Sequence, residues 1–184
     1  GADLARYDSA IIGPIHIAYK PAPRPEFASR DGIEKGTYLL SPTAAGWFES
    51  HLRKALAIEL SRGEGFRVAE QPVPNALRVS GYVLDLVVRV PPDQGVGKAY
   101  TSSLRDRGQF ILVLDVRDAE SGAPLLRVGD FFPIKFDGAL GDLPSNPTTN
   151  TMAAREIFQR AAARLRRWLD EIRALPEIPP VPAP

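Results

Sequence analysis

Apolar residues recur along the chain at two spacings, and the switches between them mark its elements. Ala76 to Val90, ALRVSGYVLDLVVRV, is dense in Val, Leu and Tyr and is bracketed by Pro72, Pro74, Pro91 and Pro92, which predicts a central strand. Leu77 and Val79 alternate with Arg78 and Ser80, and after Gly81 the apolar phase moves to Tyr82, Leu84, Leu86, Val88 and Val90. A strand has a period of two, so this change predicts a bulge or bend at Gly81, unless both faces are covered and no bulge exists.

The same period appears at Tyr7–Tyr19, where Gly13-Pro14 breaks the ladder and points to an edge position or a bulge. Phe66 to Ala69 is a short strand, and Gln71 to Asn75 a proline-bracketed turn into the central strand. Gln109 to Arg117 puts Phe110, Leu112, Leu114 and Val116 on one face and Ile111, Val113, Asp115 and Arg117 on the other. Asp118 to Gly122 supplies a hairpin turn, and Pro124 to Phe132 the returning strand.

Two stretches have helical spacing instead. Ser41-Pro42 is a helix start, since serine accepts from a free first-turn amide and proline there gives up a donor that had no partner. Ala45, Phe48, Leu52, Ala55 and Leu56 form its apolar stripe, and Gly63 and Gly65 end it. The second helix, Thr151 to Leu175, carries the stripe Ala154, Ile157, Phe158, Ala161, Leu165, Trp168, Leu169 and Ile172. Arg155, Arg160, Arg164, Arg166, Arg167 and Arg173 lie largely off it and read as a solvated face diluted by Glu156, Asp170 and Glu171.

Strands joined by short turns, with two amphipathic helices that need a face to cover, predict an α+β two-layer sandwich. The expected sheet is mainly antiparallel with four to five strands, and both helices pack on one face. Residues 1–175 are expected to form a single domain, with 176–184 a proline-rich tail. Three long loops, Lys20 to Leu40, Pro91 to Gly108 and Asp137 to Asn150, are placed to gather near the sheet ends.

Composition narrows the chemistry. A formal net charge of +1 over 184 residues gives no reason to expect nucleic acid, and no apolar run reaches the about 18 residues of a spanning helix. With no cysteine and only His16 and His51, the chain has no thiolate chemistry and a poor set of metal ligands, so neither a metal nor a cofactor is expected. Asp85 and Asp115 stand in apolar strands and are the pair to test for acid–base work, against the simpler reading that both face solvent. His51 flanks its helix stripe as a boundary residue, and Gly95-Val96-Gly97 lacks the strand-to-helix context of a phosphate loop. No catalytic residue is assigned. Phe131, Phe132 and Phe136, with Pro133, are candidates for an apolar ligand groove, with core packing at a strand end as the alternative.

The opening Tyr7-Asp8 with Ile12 and Pro14, the helix with Phe48 and Leu52, Pro72, Pro74, Leu77 and Val79, the Asp118–Gly122 turn with Leu125, and the closing helix with Trp168 form a pattern. It resembles an uncharacterised proteobacterial envelope lipoprotein family, the domain of unknown function 3313. Ser121 stands where such proteins often have threonine, and neither the third loop nor the tail matches a family feature. The resemblance implies a periplasmic domain held to the outer membrane only by a lipid on a cysteine upstream of Gly1. It implies no activity and no site residue. The expected function is a non-enzymatic accessory or binding module with an envelope protein as partner. The alternative is a carrier of a small, lipid-like ligand, which an apolar pocket of several hundred Å³ between helix and sheet would favour.

Overall fold

The computed structural model describes residues 4–19, 39–89, 106–135 and 147–174. Their elements run β1 (Ser9–Tyr19), α1 (Pro42–Leu60), β2 (Arg67–Val68), β3 (Ala76–Val88), β4 (Asp106–Asp118), β5 (Pro124–Lys135) and α2 (Pro147–Arg173). The strands form one sheet in the order β2-β1-β3-β4-β5. The α+β sandwich is as expected, but the sheet is mixed: β1 runs parallel to both β2 and β3, while β3–β4 and β4–β5 are antiparallel. The reason is α1, which follows β1 and returns the chain to the end where β1 began.

The start of α1 follows its cap. Ser41 is extended, at φ −62° and ψ 159°, and its Oγ accepts from Ala44 N at 3.2 Å. Phe48, Leu52, Ala55, Leu56 and Leu60 are buried against the sheet and α2. Gly63, with φ 61°, takes the left-handed turn that ends this segment. α2 begins at Pro147, four residues before the expected Thr151, and buries Ile157, Phe158, Ala161, Leu165 and Leu169. Phe48 meets Phe158 edge-on at 4.6 Å and Phe110 at 5.6 Å, and Phe110 stacks on Phe132 at 5.5 Å. Each such ring contributes about 1.5–3 kcal/mol by leaving water. Together they tie both helices to the two outermost antiparallel strands.

β4 buries Phe110, Leu112, Leu114 and Val116, as its pattern predicts, and extends three residues further back, to Asp106. In β3 the bulge sits later than the sequence suggests. Gly81 stays in phase opposite Leu114, and a Cβ there would come within 2.7 Å of Ile15 Cδ1 and 2.9 Å of Leu114 Cδ2. It is a glycine for packing, with no bend. The register shifts instead between Leu84 and Val87, around Asp85 at φ 50°, so Tyr82 and Leu84 face outward and Leu86 turns in. Gly13-Pro14 marks a register shift in β1, an interior strand flanked by β2 and β3, so of the two readings the bulge holds.

Pairing of Tyr19 with Leu86, Val88 with Gly108 and Asp106 with Lys135 puts those four strand ends together at one end of the sheet. The Asp118–Gly122 turn lies at the other end, and its backbone meets the start of β3 through Ala119 N to Ala76 O at 2.9 Å.

Candidate functional site: the groove between α2 and β5

β5 is an edge strand, and α2 lies across its inner face. Between them runs an open groove of about 480 Å³. Phe132 and Ile157 lie at its floor, 8% and 1% exposed. Phe131, Pro133, Ala163 and Trp168 add apolar walls, and the charged groups around it are Arg160, Arg164, Arg167 and Glu171.

Phe131 and Phe132 are strand neighbours and so point to opposite faces. Phe132 faces in, opposite Phe110. Phe131 faces out, opposite Ile111, and is 50% exposed. Both border one groove because the groove wraps the free margin of the sheet. Phe136, the third candidate, lies outside the described residues.

Asp130 is on the inner face opposite Leu112, where its carboxylate forms an ion pair with Arg164 of α2. Its Oδ1 also accepts from Phe131 N at 2.8 Å. The Arg164 guanidinium lies 5.3 Å over the Trp168 ring. Arg160 is 3.8 Å from Glu156, one turn back. Arg167 makes no ion pair among the described residues.

The other candidates are dispersed. Asp115 lies on the outer face across from Ser80, bonded to Arg127 through both oxygens, one at 2.9 Å, with Arg117 at 4.0 Å. The Arg127 hydrogen bond holds its carboxyl below the usual carboxylate range. Asp85 is exposed in the β3 bulge, five residues beyond Ser80 and so about 16 Å away along the strand. That separation rules out their acting as a pair. His16 lies on the outer face beside Tyr82, at 5.5 Å. His51 stacks on Trp47 at 4.0 Å, with Nδ1 2.9 Å from the Trp47 carbonyl. Gly95 and Gly97 lie outside the described residues. Among the described residues no cluster of three potential metal ligands occurs, and no helix is long and apolar enough to cross a membrane.

A polar cluster at the turn end is structural. Asp118 Oδ1 accepts from Glu120 N, Ser121 N and Ser121 Oγ at 3.0, 2.7 and 2.9 Å. Its Oδ2 accepts from the Tyr7 hydroxyl at 2.7 Å and Arg6 at 3.0 Å. These bonds, the Ser121 amide first and Tyr7 next, hold the Asp118 carboxyl well below the ordinary range, while burial pushes Tyr7 up. Two parts of the sequence pattern, Tyr7 and the Asp118 turn, therefore meet as a clasp between the N-terminal segment and the β4–β5 hairpin.

Of the residues the sequence offers for a groove, Phe131 and Phe132 border this one, together with arginines of α2 that the sequence reading does not assign to it. In sequence the arginines read as a solvated face, and the visible signal is their spacing at 160, 164 and 167, which keeps them on one side of a helix.

No protein-family model matches the chain, that of the domain of unknown function 3313 included, and no curated protein matches it. Among solved structures, a PelC dodecamer from Paraburkholderia phytofirmans is similar at 13% identity and TM-score 0.43, covering 89% of this chain and 91% of that one. Protein XCC0632 from Xanthomonas campestris, of family DUF330, has 9% identity and TM-score 0.48, with 88% and 83% covered. A candidate lipoprotein from Caulobacter crescentus CB15 has 16% identity and TM-score 0.33, with 92% and 88% covered. At these values the likenesses concern chain architecture and carry nothing about activity.

Proposed function

We propose that this chain is a non-enzymatic binding module of the bacterial cell envelope, working in the periplasm and tethered to the outer membrane by a lipid. Of the two forms that reading takes, the geometry favours the carrier of a small lipid-like ligand over the accessory that docks an envelope protein. The observation that carries it is the groove: about 480 Å³, with an apolar floor and charged groups at its mouth, within the size range of small-molecule sites. Its lining includes no serine, threonine, histidine or carboxylate pair that could act as nucleophile or general base, so it is read as a place to hold a molecule unchanged. The envelope setting rests on the sequence pattern described above.

Native mass spectrometry of the chain purified without added ligand tests this reading. The expected result is an adduct that is absent after denaturation and absent from an Ala163→Trp variant, in which an indole fills the groove. A bare mass from both proteins, or an adduct indifferent to Ala163→Trp, would contradict the carrier.

A further inference from the structure

We propose that the α2–β5 groove takes an anionic amphiphile, its apolar body against Phe132, Ile157 and Trp168 and its carboxylate or phosphate on the arginines of α2. This rests on the reading of the groove as a binding site and adds the chemistry of what it binds. Arg160, Arg164 and Arg167 follow one another at helical spacing along the mouth, opposed within the lining by Glu171 alone. An uncharged apolar molecule would leave that concentration of positive charge unanswered, whereas an anionic head complements it. Guanidinium groups also match carboxylate and phosphate oxygens in paired, planar hydrogen bonds.

The three arginines are not equally engaged. Arg164 is held by Asp130 from the inner face of β5 and by the Trp168 ring. That arrangement fixes one cation at the groove wall without filling all of its donors, since a guanidinium has five. Arg160 lies 3.8 Å from Glu156 in a half-exposed pair. Arg167 has no ion pair among the described residues and stands one turn beyond Arg164. Arg167 is therefore the first anchor for an anionic head, Arg164 a fixed second charge, and Arg160 a third.

An extended peptide adding to β5 is the obvious competitor for this place, because an edge strand invites pairing. Beside the groove that edge is blunted. Pro133 has no N–H, and the Phe131 N–H is occupied by Asp130 Oδ1 at 2.8 Å. Two of the three residues next to Phe132 and Ile134 thus offer an incoming strand no donor, which leaves side-chain recognition in the groove itself.

Trp168 lines the groove, and the chain has two tryptophans, so a Trp47→Phe variant leaves a single reporter in the site. Its emission is followed during titration, below the micellar range, with sodium dodecanoate, dodecyl phosphate, dodecyl maltoside and inorganic phosphate. The two anionic amphiphiles are expected to give a saturable blue shift with an apparent Kd about tenfold or more below that of the maltoside, the scale of one lost charge-assisted contact. Comparing carboxylate with phosphate separates a fatty-acid-like ligand from a phospholipid-like one. Inorganic phosphate is expected to leave the spectrum unchanged. Arg160→Gln with Arg167→Gln, two exposed positions whose loss leaves the core intact, should remove the anionic preference and keep the maltoside response.

Equal affinity for maltoside and dodecyl phosphate, or an unchanged preference in the double variant, would overturn the anionic headgroup and leave the carrier reading standing. An equal response to inorganic phosphate would overturn the apolar body. Loss of response to every amphiphile would overturn both.

Discussion

Arg166 and Arg167 are neighbours on α2, and they do opposite things. Arg166 faces α1: its Nη1 donates to the carbonyls of Leu60 and Arg62 at 3.0 and 3.1 Å, and its Nε donates to Asp170 at 2.8 Å. The Leu60 carbonyl is the last of α1 and also accepts from Phe66 N at 2.7 Å, and Arg62 lies two residues beyond it, at the helix end whose dipole favours a cation. The side chain is 17% exposed. Arg167, one residue on and 100° round the helix, opens onto the β5 groove with no ion pair among the described residues. The same residue type thus staples the fold on one side of α2 and lines an open surface on the other. What separates the roles is the neighbour: a finished helix end on one side, an apolar groove on the other.

The largest effect is expected where the staple has no room to move. A Cβ at Gly65 would overlap both the Leu60 carbonyl oxygen and the Arg166 guanidinium, so Gly65→Ala must displace the end of α1 or expel Arg166. A loss of about 3 kcal/mol in urea unfolding is expected, in the range of overpacking with broken polar contacts. Arg166→Ala removes the capping bonds without overlap and is expected to cost about 2 kcal/mol, the scale of hydrogen bonds from a charged donor. Arg167→Ala is expected to stay within about 0.5 kcal/mol, as surface changes usually do. Equal losses for the last two would erase the distinction between the two sides of α2.

A smaller effect concerns acid. Asp118 has a folded-state pKa below its ordinary value of about 3.9, so the stability it contributes is present above that value and is lost as pH falls through it toward the folded pKa. The denaturation midpoint is expected to drop below about pH 4, and Asp118→Asn should flatten that part of the profile. Tyr7→Phe, which removes the hydroxyl bond at 2.7 Å, should flatten it less, because the Ser121 amide remains. The Asp118 clasp is built from Arg6, Tyr7 and the Ser121 turn and does not involve the groove arginines, so the Arg160→Gln, Arg167→Gln double variant should follow the parent profile. A shifted profile in that variant would place those arginines in the folding network.

Much of this architecture was legible from local signals. Ser41-Pro42 starts α1 through a bond from Ala44, and the Asp118–Gly122 turn closes through Asp118 itself. Both depend on residues within a few positions of one another. What the sequence hid was set by distant partners. Gly81 resembles a bend until Ile15 and Leu114 are seen to occupy the space of its Cβ. The parallel pairing of β1 with β3 depends on where α1 returns the chain.

The site divides in the same way. Phe131 and Phe132 mark the strand end, but that both border one groove follows from β5 being an edge. Asp130 and Arg164 are far apart in sequence, and nothing local links them. The split between Arg166 and Arg167 is invisible in a run of arginines, because it depends on the carbonyls of Leu60 and Arg62, far back in the chain.

The most direct measurement is a side-chain NMR titration of ¹⁵N-labelled protein with dodecyl phosphate, following the arginine Nε–Hε resonances. The account predicts saturable shifts for Arg160, Arg164 and Arg167, with Arg166 unmoved because its donors are already committed to Leu60, Arg62 and Asp170. Shifts at Arg166, or none at the three groove arginines, would contradict it.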